Sequence, residues 1–502
     1  SDSLKLSIPV VAEQACYSLS SSQRRLWILS QFGEGNVAYN IPGVYVFEGP
    51  LDRDKLEQSF QDLIERHEIL RTVFKENAEG EIRQYINAPL SSGFTISYKD
   101  LRANKDQQST LTSHISKDQQ SIFELSSGPL LRASLYQTGD TTWVFSYVMH
   151  HIISDGWSMS ILVKELMMLY NAYTEGKENP LTPLRIQYKD YASWQQNELN
   201  GDKLTLHKVY WKEQFSGNLP VLELATDKLR PSVKTYNGST LQKTLSQSLS
   251  ASIKTLSQEQ GGTLYMGLLS LVNTLLYKYT NQEDIILGSP IAGREHMDLE
   301  GQIGFYVNTL ALRNQFNSNE NFINIFAQVK NTTLGAFEHQ AYPFDELLEE
   351  LNLQRDLSRN ALFDVMVVLQ NNEASNIEST NRFGNLEVKT YNTPSTVTSK
   401  FDLTFTFTES EEGLQLSLEY NTDLYNQTTI ERLLLHFEEL TSTVVKNPGL
   451  PLNQLGYLKP EEQEAIFHHL NKSDVRYPKD KSIVDLFETQ VKNNPASIAV
   501  VS

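Results

Sequence analysis

The sequence predicts an α/β fold, on three observations. Apolar residues recur at helical spacing in several segments, β-branched and aromatic runs of strand length lie between them, and the two kinds alternate along the chain. The first clear helix covers 51–68, where Leu56, Phe60, Leu63, Ile64 and His67 fall on one stripe. Residues 141–151, TTWVFSYVMHH, are β-branched and aromatic and read as a buried strand. A helix over 158–173 follows, with Met159, Leu162, Val163, Leu166, Leu169 and Tyr173 on one face. Strands are predicted at 284–289, 305–313, 363–369, 401–408 and 414–420, and helices at 321–338 and 428–446. The longest apolar patch, LYMGLLSLVNTLLYKY, is interrupted by Ser, Asn and Lys and is too short for a bilayer. It reads as a core helix capped by Thr263, just after Gly261-Gly262.

Composition narrows the function. With 43 Lys+Arg against 61 Asp+Glu the net charge is −18, which excludes nucleic acid or an anionic membrane as the main partner. Hydrophobic residues make 39% and charged residues 21%, as in a globular protein. The one cysteine, Cys16, makes no internal disulfide and fits a reducing cytoplasm. SDSLKLSIPVVAEQ lacks the basic stretch and apolar run of a signal peptide. Two polar connectors stand out, 174–187 and 371–399, and a boundary is expected near 448–458.

The chemistry concentrates in Met149-His150-His151-Ile152-Ile153-Ser154-Asp155-Gly156-Trp157-Ser158. Two histidines end a strand, Asp-Gly turns, and a helix begins. Strand alternation puts His150 and His151 on opposite faces, so they do not serve one site together or make a good metal pair. A neutral imidazole accepts a proton near neutral pH, which suits acyl transfer to an amine. A core histidine closing a strand end is the alternative. The second pair, His468-His469, lies in a polar stretch without an Asp-Gly turn and carries no such expectation.

His-His-x-x-x-Asp-Gly resembles the core motif of nonribosomal peptide synthetase condensation domains. Six further segments match that family in order. They are Ser20 to Leu29 (SSSQRRLWIL), Arg66 to Phe74 (RHEILRTVF), Tyr188 to Trp194 (YKDYASW), Ile303 to Leu310 (IGFYVNTL), His339 to Phe344 (HQAYPF) and Arg355 to Phe363 (RDLSRNALF). Ala341 stands where an acidic residue is common and Ala361 where Pro is usual. Leu26, Trp27, Leu70, Phe74, Tyr191 and Trp194 also read as core, Arg25 and Arg66 as structural, and Glu68 with Arg71 as a solvated pair.

The resemblance implies a V-shaped pseudo-dimer of two chloramphenicol-acetyltransferase-like lobes, 1–175 and 176–455, around a central tunnel. It implies a floor loop from Gly293 to Ile303 and a crossover latch at 371–399. Residues 456–502 resemble a linker and the opening of an adenylation domain, through Tyr477-Pro478, Ser482 to Glu488, Pro495 and Ile498 to Val501. They are expected outside the core sheets. His151 is the implied catalytic histidine, with a backbone N–H near Gly156 at the oxyanion. His150, Asp155 and Arg294 are structural, the last two as a pair. Asn360, Trp157 and Ser158 are the implied substrate contacts. No metal and no cofactor is expected on this chain. Substrates arrive on the phosphopantetheine of an upstream donor and a downstream acceptor peptidyl carrier protein, beside an adenylation domain, with the chain acting as a cytoplasmic monomer. Arg24-Arg25-Leu26-Trp27 and MHHIISDGWS look like the L-donor type. An epimerising or otherwise modified relative, a silent recruitment module and a CoA-dependent acyltransferase are the alternatives.

Overall fold

A computed structural model describes residues 7–31, 37–199, 201, 203–353, 356–370, 382–391, 397–470 and 478–498. Arg355, Tyr477, 371–381, 392–396 and 499–502 therefore lie outside the described residues. Ser1–Leu455 forms one compact unit and Gly456–Ser502 a second.

The first unit holds two large mixed sheets covered by helices. The six-stranded sheet runs Arg382–Phe383, Leu386–Thr390, Asn40–Glu48, Thr142–His150, Leu131–Gln137, Ile96–Asp100. Its central strand, Thr142–His150, is buried from Trp143 onward on both faces. That is why it reads as an unbroken apolar run. On one face Arg53–Arg66 packs with Gly156–Thr174, joining Leu56, Phe60 and Leu63 to Leu162, Leu166 and Leu169 in one core. On the other face Leu111 and Ile115 of Gln107–Gln120 meet Val44, Tyr136 and Val144. Leu386–Thr390 enters this sheet from far along the chain and pairs antiparallel with Asn40–Glu48.

The seven-stranded sheet runs Val397–Thr398, Asn237–Thr244, Gly413–Asn421, Leu403–Ser410, Val365–Gln370, Asp284–Ile291, Asn308–Gln315. Behind it lies Leu264–Thr280, whose residues Met266 to Tyr277 are all buried. Thr263 caps it, its hydroxyl accepting the Met266 N–H at 3.3 Å. The helix ends at Asn281 in the left-handed region, φ 59°, which asparagine tolerates.

Among the predicted bounds that shift, three bear on the site. The helix over 51–68 ends at Arg66, with His67 buried as its C-cap. The strand over 141–151 ends at His150. The strand over 305–313 begins only at Asn308, because polar groups elsewhere take the backbone before it. The Tyr306 N–H goes to Asp155 and the Phe305 carbonyl to the Tyr188 hydroxyl at 2.6 Å.

The second unit carries helices Pro460–Glu464 and Ile483–Asn493, and no strand among its described residues. A capping box closes the second helix: Ser482 and Asp485 each accept the other's backbone N–H. Among the described residues no helix is long and apolar enough to cross a membrane. Nor does any group of three His, Cys, Asp or Glu there suit a metal ion.

Candidate active site

Where the strand Thr142–His150 stops, a 3-10 turn, His151–Ile153, takes over. His150 closes the strand and caps the turn. Its Nδ1 accepts the Ile152 N–H at 3.1 Å, which places the ring proton on Nε2. Burial first, then Lys400 and Arg132, push His150 down to about 3, so it stays neutral. The two rings do go separate ways, but strand alternation is not the reason, because His151 has already left the strand. His150 lies edge-on to Phe123 at 6.1 Å. His151 sits half-buried between Tyr39, at 6.4 Å, and Phe305, at 5.1 Å, both edge to face.

His151 is also held well below the usual histidine value, by burial first and then by Lys400 and His150. Its Nδ1 makes no hydrogen bond, and the backbone of Ser154 and His151 pulls only weakly the other way, toward the protonated ring. A neutral imidazole results, with capacity for a proton or a hydrogen bond. Its turn is fixed from Ser21–Ser30, where Gln23 Nε2 donates to the Ile152 carbonyl at 3.3 Å. Ser20 of the same segment bonds the Tyr188 hydroxyl at 2.9 Å.

Asp155, 0% exposed, caps the helix Gly156–Thr174. Its Oδ1 accepts from Ser158 N at 2.8 Å, Ser158 Oγ at 2.7 Å and Arg294 Nη2 at 3.0 Å. Its Oδ2 accepts from Tyr306 N at 3.0 Å. Arg294 in turn donates to the carbonyls of Leu299 at 2.6 Å and Gln302 at 2.7 Å, inside the 293–303 loop. Its guanidinium lies 4.2 Å from the Tyr306 ring centre. One ion pair thus ties the helix start, that loop and the edge of the second sheet. Gly293 permits the loop's entry: at φ 66°, a Cβ there would lie 2.0 Å from the Tyr306 carbonyl oxygen.

The three residues expected at substrate are held as follows. Ser158 is fully buried, and its hydroxyl is spent. It accepts from Arg294 at 2.8 Å and Gly304 N at 3.0 Å, and its one proton faces Asp155 and the Gly304 carbonyl. No lone pair remains for a ligand, so Ser158 is a structural partner of Asp155. Trp157 is half exposed and donates its indole N–H to the Glu300 carbonyl at 3.1 Å, which pins the loop. Asn360 uses its amide on the second sheet: Oδ1 accepts from Lys234, and Nδ2 donates to the Lys400 carbonyl at 3.3 Å. The solvated pair expected of Glu68 and Arg71 is instead partly buried at 3.8 Å, and Lys189 reaches Glu68 at 2.8 Å.

Gly156 is exposed at the first turn of its helix, and a Cβ added there meets nothing within 4 Å. First-turn N–H groups lack intrahelical partners and favour negative charge. Gly156→Ala should therefore melt like the wild type. Any loss of rate would report how closely a substrate approaches that backbone, and a lowered melting temperature would refute the open space.

Sequence reasoning missed Tyr39 and Lys400 as neighbours of His151. Asn40 pairs with His150 across the first sheet, which carries Tyr39 to the turn. Only strand order could have shown this.

Comparison with known proteins now adds identity to geometry. The family model "Condensation domain" matches residues 13–467. Gramicidin S synthase 2 of Brevibacillus brevis is 39% identical over 497 residues, 99% of this chain and 11% of that protein. The chain thus spans a small part of the length of this curated relative. A holo four-domain nonribosomal peptide synthetase bound to AMP and glycine superposes with TM-score 0.83 at 22% identity, over 99% of this chain and 38% of that one. The X-domain from teicoplanin biosynthesis superposes with TM-score 0.81 at 23% identity, over 90% of this chain and 100% of that one. These two likenesses show the fold, and the family match with the 39% identity shows the lineage: the chain belongs to the condensation domains of nonribosomal peptide synthetases.

Proposed function

We propose that this chain joins a donor acyl thioester to an acceptor aminoacyl thioester, each held on the phosphopantetheine arm of a peptidyl carrier protein. The carrying observation is the neutral His151, held between Tyr39 and Phe305 at the start of the Gly156–Thr174 helix. The acceptor amine attacks the donor carbonyl. A C–N bond forms, the C–S bond breaks, and the amine's proton ends on the departing thiol. A thioester is already activated, so holding amine and carbonyl together supplies much of the rate. His151 adds a neutral acceptor for the amine's proton or hydrogen bond. A backbone N–H near Gly156, at the opening of the Gly156–Thr174 helix, stabilises the developing oxyanion.

His151 and Gly156 are the catalytic positions in this reading, and His150, Asp155 and Arg294 hold them. The donor is L-configured, an adenylation domain follows near residue 456, and the setting is cytoplasmic. The test is reconstitution with donor and acceptor carriers loaded with defined substrates, read by intact mass. Dipeptidyl product on the acceptor carrier is expected. An inverted donor α-carbon without a new bond would make the chain an epimerising relative. Unchanged carriers would make it a recruitment module.

A further inference from the structure

Lys400 is the cation acting on both histidines, and it comes from the other sheet. It lies in the bend between Val397–Thr398 and Leu403–Ser410. Two donors fix that bend by its carbonyl: Lys234 and, at 3.3 Å, Asn360 Nδ2. Ser399 beside it is 0% exposed. From this fixed backbone the ammonium reaches over the Tyr39 ring, 4.9 Å from its centre. The Tyr39 ring also meets His151, at 6.4 Å. Among the described residues the ammonium makes no hydrogen bond and no ion pair; Glu419 is the acidic group acting on it.

Lys400 is half-buried, and its ammonium, facing Tyr39, stands beside the central histidine. Burial lowers the Lys400 ammonium to about 8, so it remains charged at neutral pH. The charges facing His151 are few. His150, on the strand before it, is itself neutral. Tyr39, on the segment leading into Asn40–Glu48, is pushed up to about 12 by burial and stays un-ionised. Arg132 acts on His150, and Arg25, paired with Asp345 at 3.0 Å, acts on Tyr39.

We propose that Lys400 is a positioning residue for condensation: its ammonium, delivered from the second sheet across the Tyr39 ring, reinforces burial in keeping positive charge off the His151 imidazole. The inference rests on the role given to His151 above. It also gives Asn360 and Lys234 a task, since both anchor the Lys400 backbone. Substituting the Lys400 side chain leaves that anchor intact, because the anchor is the carbonyl.

The sign is fixed by electrostatics. Removing a cation beside an imidazole lets it take a proton at higher pH. Rates of dipeptide formation are measured for the full chain with loaded carriers. The proteins are wild type, Lys400→Met, Lys400→Gln and Lys400→Arg, from about pH 5 to about pH 8, where imidazoles titrate. Dividing each variant's rate by the wild type's cancels the titration of the acceptor amine. For Met and Gln the ratio should fall toward the acid end of the range, the direction set by losing the cation, while burial still holds the ring below the usual histidine value. It should recover toward one at the alkaline end, and for Arg it should stay flat. Melting at each pH separates this from loss of fold, and two neutral variants guard against one that fails to fold. A ratio independent of pH in both neutral variants overturns the inference, as does an Arg variant that behaves like Met. An active wild type with flat ratios overturns it alone; a wild type without product overturns the parent reading, and this with it.

Discussion

His151→Ala should lower dipeptide formation by about 10²-fold or more, the lower end for a positioned acid–base group, with melting unchanged. The ring is half-buried against Tyr39 and Phe305, and its Nδ1 holds no hydrogen bond, so no buried partner is orphaned by its removal. His150→Ala should do the reverse. That ring is 0% exposed, lies against Phe123, and accepts the Ile152 N–H at 3.1 Å. Its loss leaves a cavity and an unpaired buried N–H, costing about 1–3 kcal/mol. Rate per folded molecule should fall far less than for His151→Ala. Initial rates beside thermal melts of both variants decide the matter. An equal, large loss of rate from both, with folding intact, would sink the split between the two histidines.

How much of this was legible depended on whether a contact is local. The helix over 158–173 was readable because its apolar stripe faces one core, and the strand over 141–151 because burial on both faces makes it an unbroken apolar run. Thr263 was readable as a cap because capping acts over three residues. The histidine motif was readable because its turn chemistry is contiguous. What failed was long-range. Asn308–Gln315 starts late because Asp155, about 150 residues earlier in the chain, takes the Tyr306 N–H. Ser158 looked free to meet substrate until Gly304 and Arg294 closed on its hydroxyl. Trp157 also holds a loop contact that no local pattern announced, its indole N–H donating to the Glu300 carbonyl. Lys400 carried no local signal, since its importance arises where two sheets meet. Sequence pattern reports which face of an element is apolar, not which distant polar group completes it.

The same distinction makes Asp155 the position of greatest cost. Asp155→Ala removes the cap of Gly156–Thr174 and strands Arg294, whose side chain is 2% exposed. Breaking a buried pair by deleting one partner costs about 3–5 kcal/mol, and losing a cap adds about 1 kcal/mol. Domains have about 5–15 kcal/mol in all, so poorly folded or insoluble protein is expected. Arg294→Ala should be similar but milder. It leaves Asp155 with the N–H groups of Ser158 and Tyr306, while freeing the Leu299 and Gln302 carbonyls. The deciding variant is Asp155→Asn. A general base would tolerate that change in its fold and lose only its proton chemistry. The structural role does not, because both carboxylate oxygens accept: Oδ1 from Ser158 and Arg294, Oδ2 from Tyr306 N at 3.0 Å. An amide offers one acceptor oxygen and must turn its NH₂ toward either Tyr306 N–H or Arg294, donor against donor. Asp155→Asn should therefore melt well below the wild type, or not fold, with lost activity following from lost structure. Thermal melting of the purified variant reads this directly: an unchanged midpoint with activity abolished would return Asp155 to the chemistry and end its assignment as the knot between helix, loop and sheet.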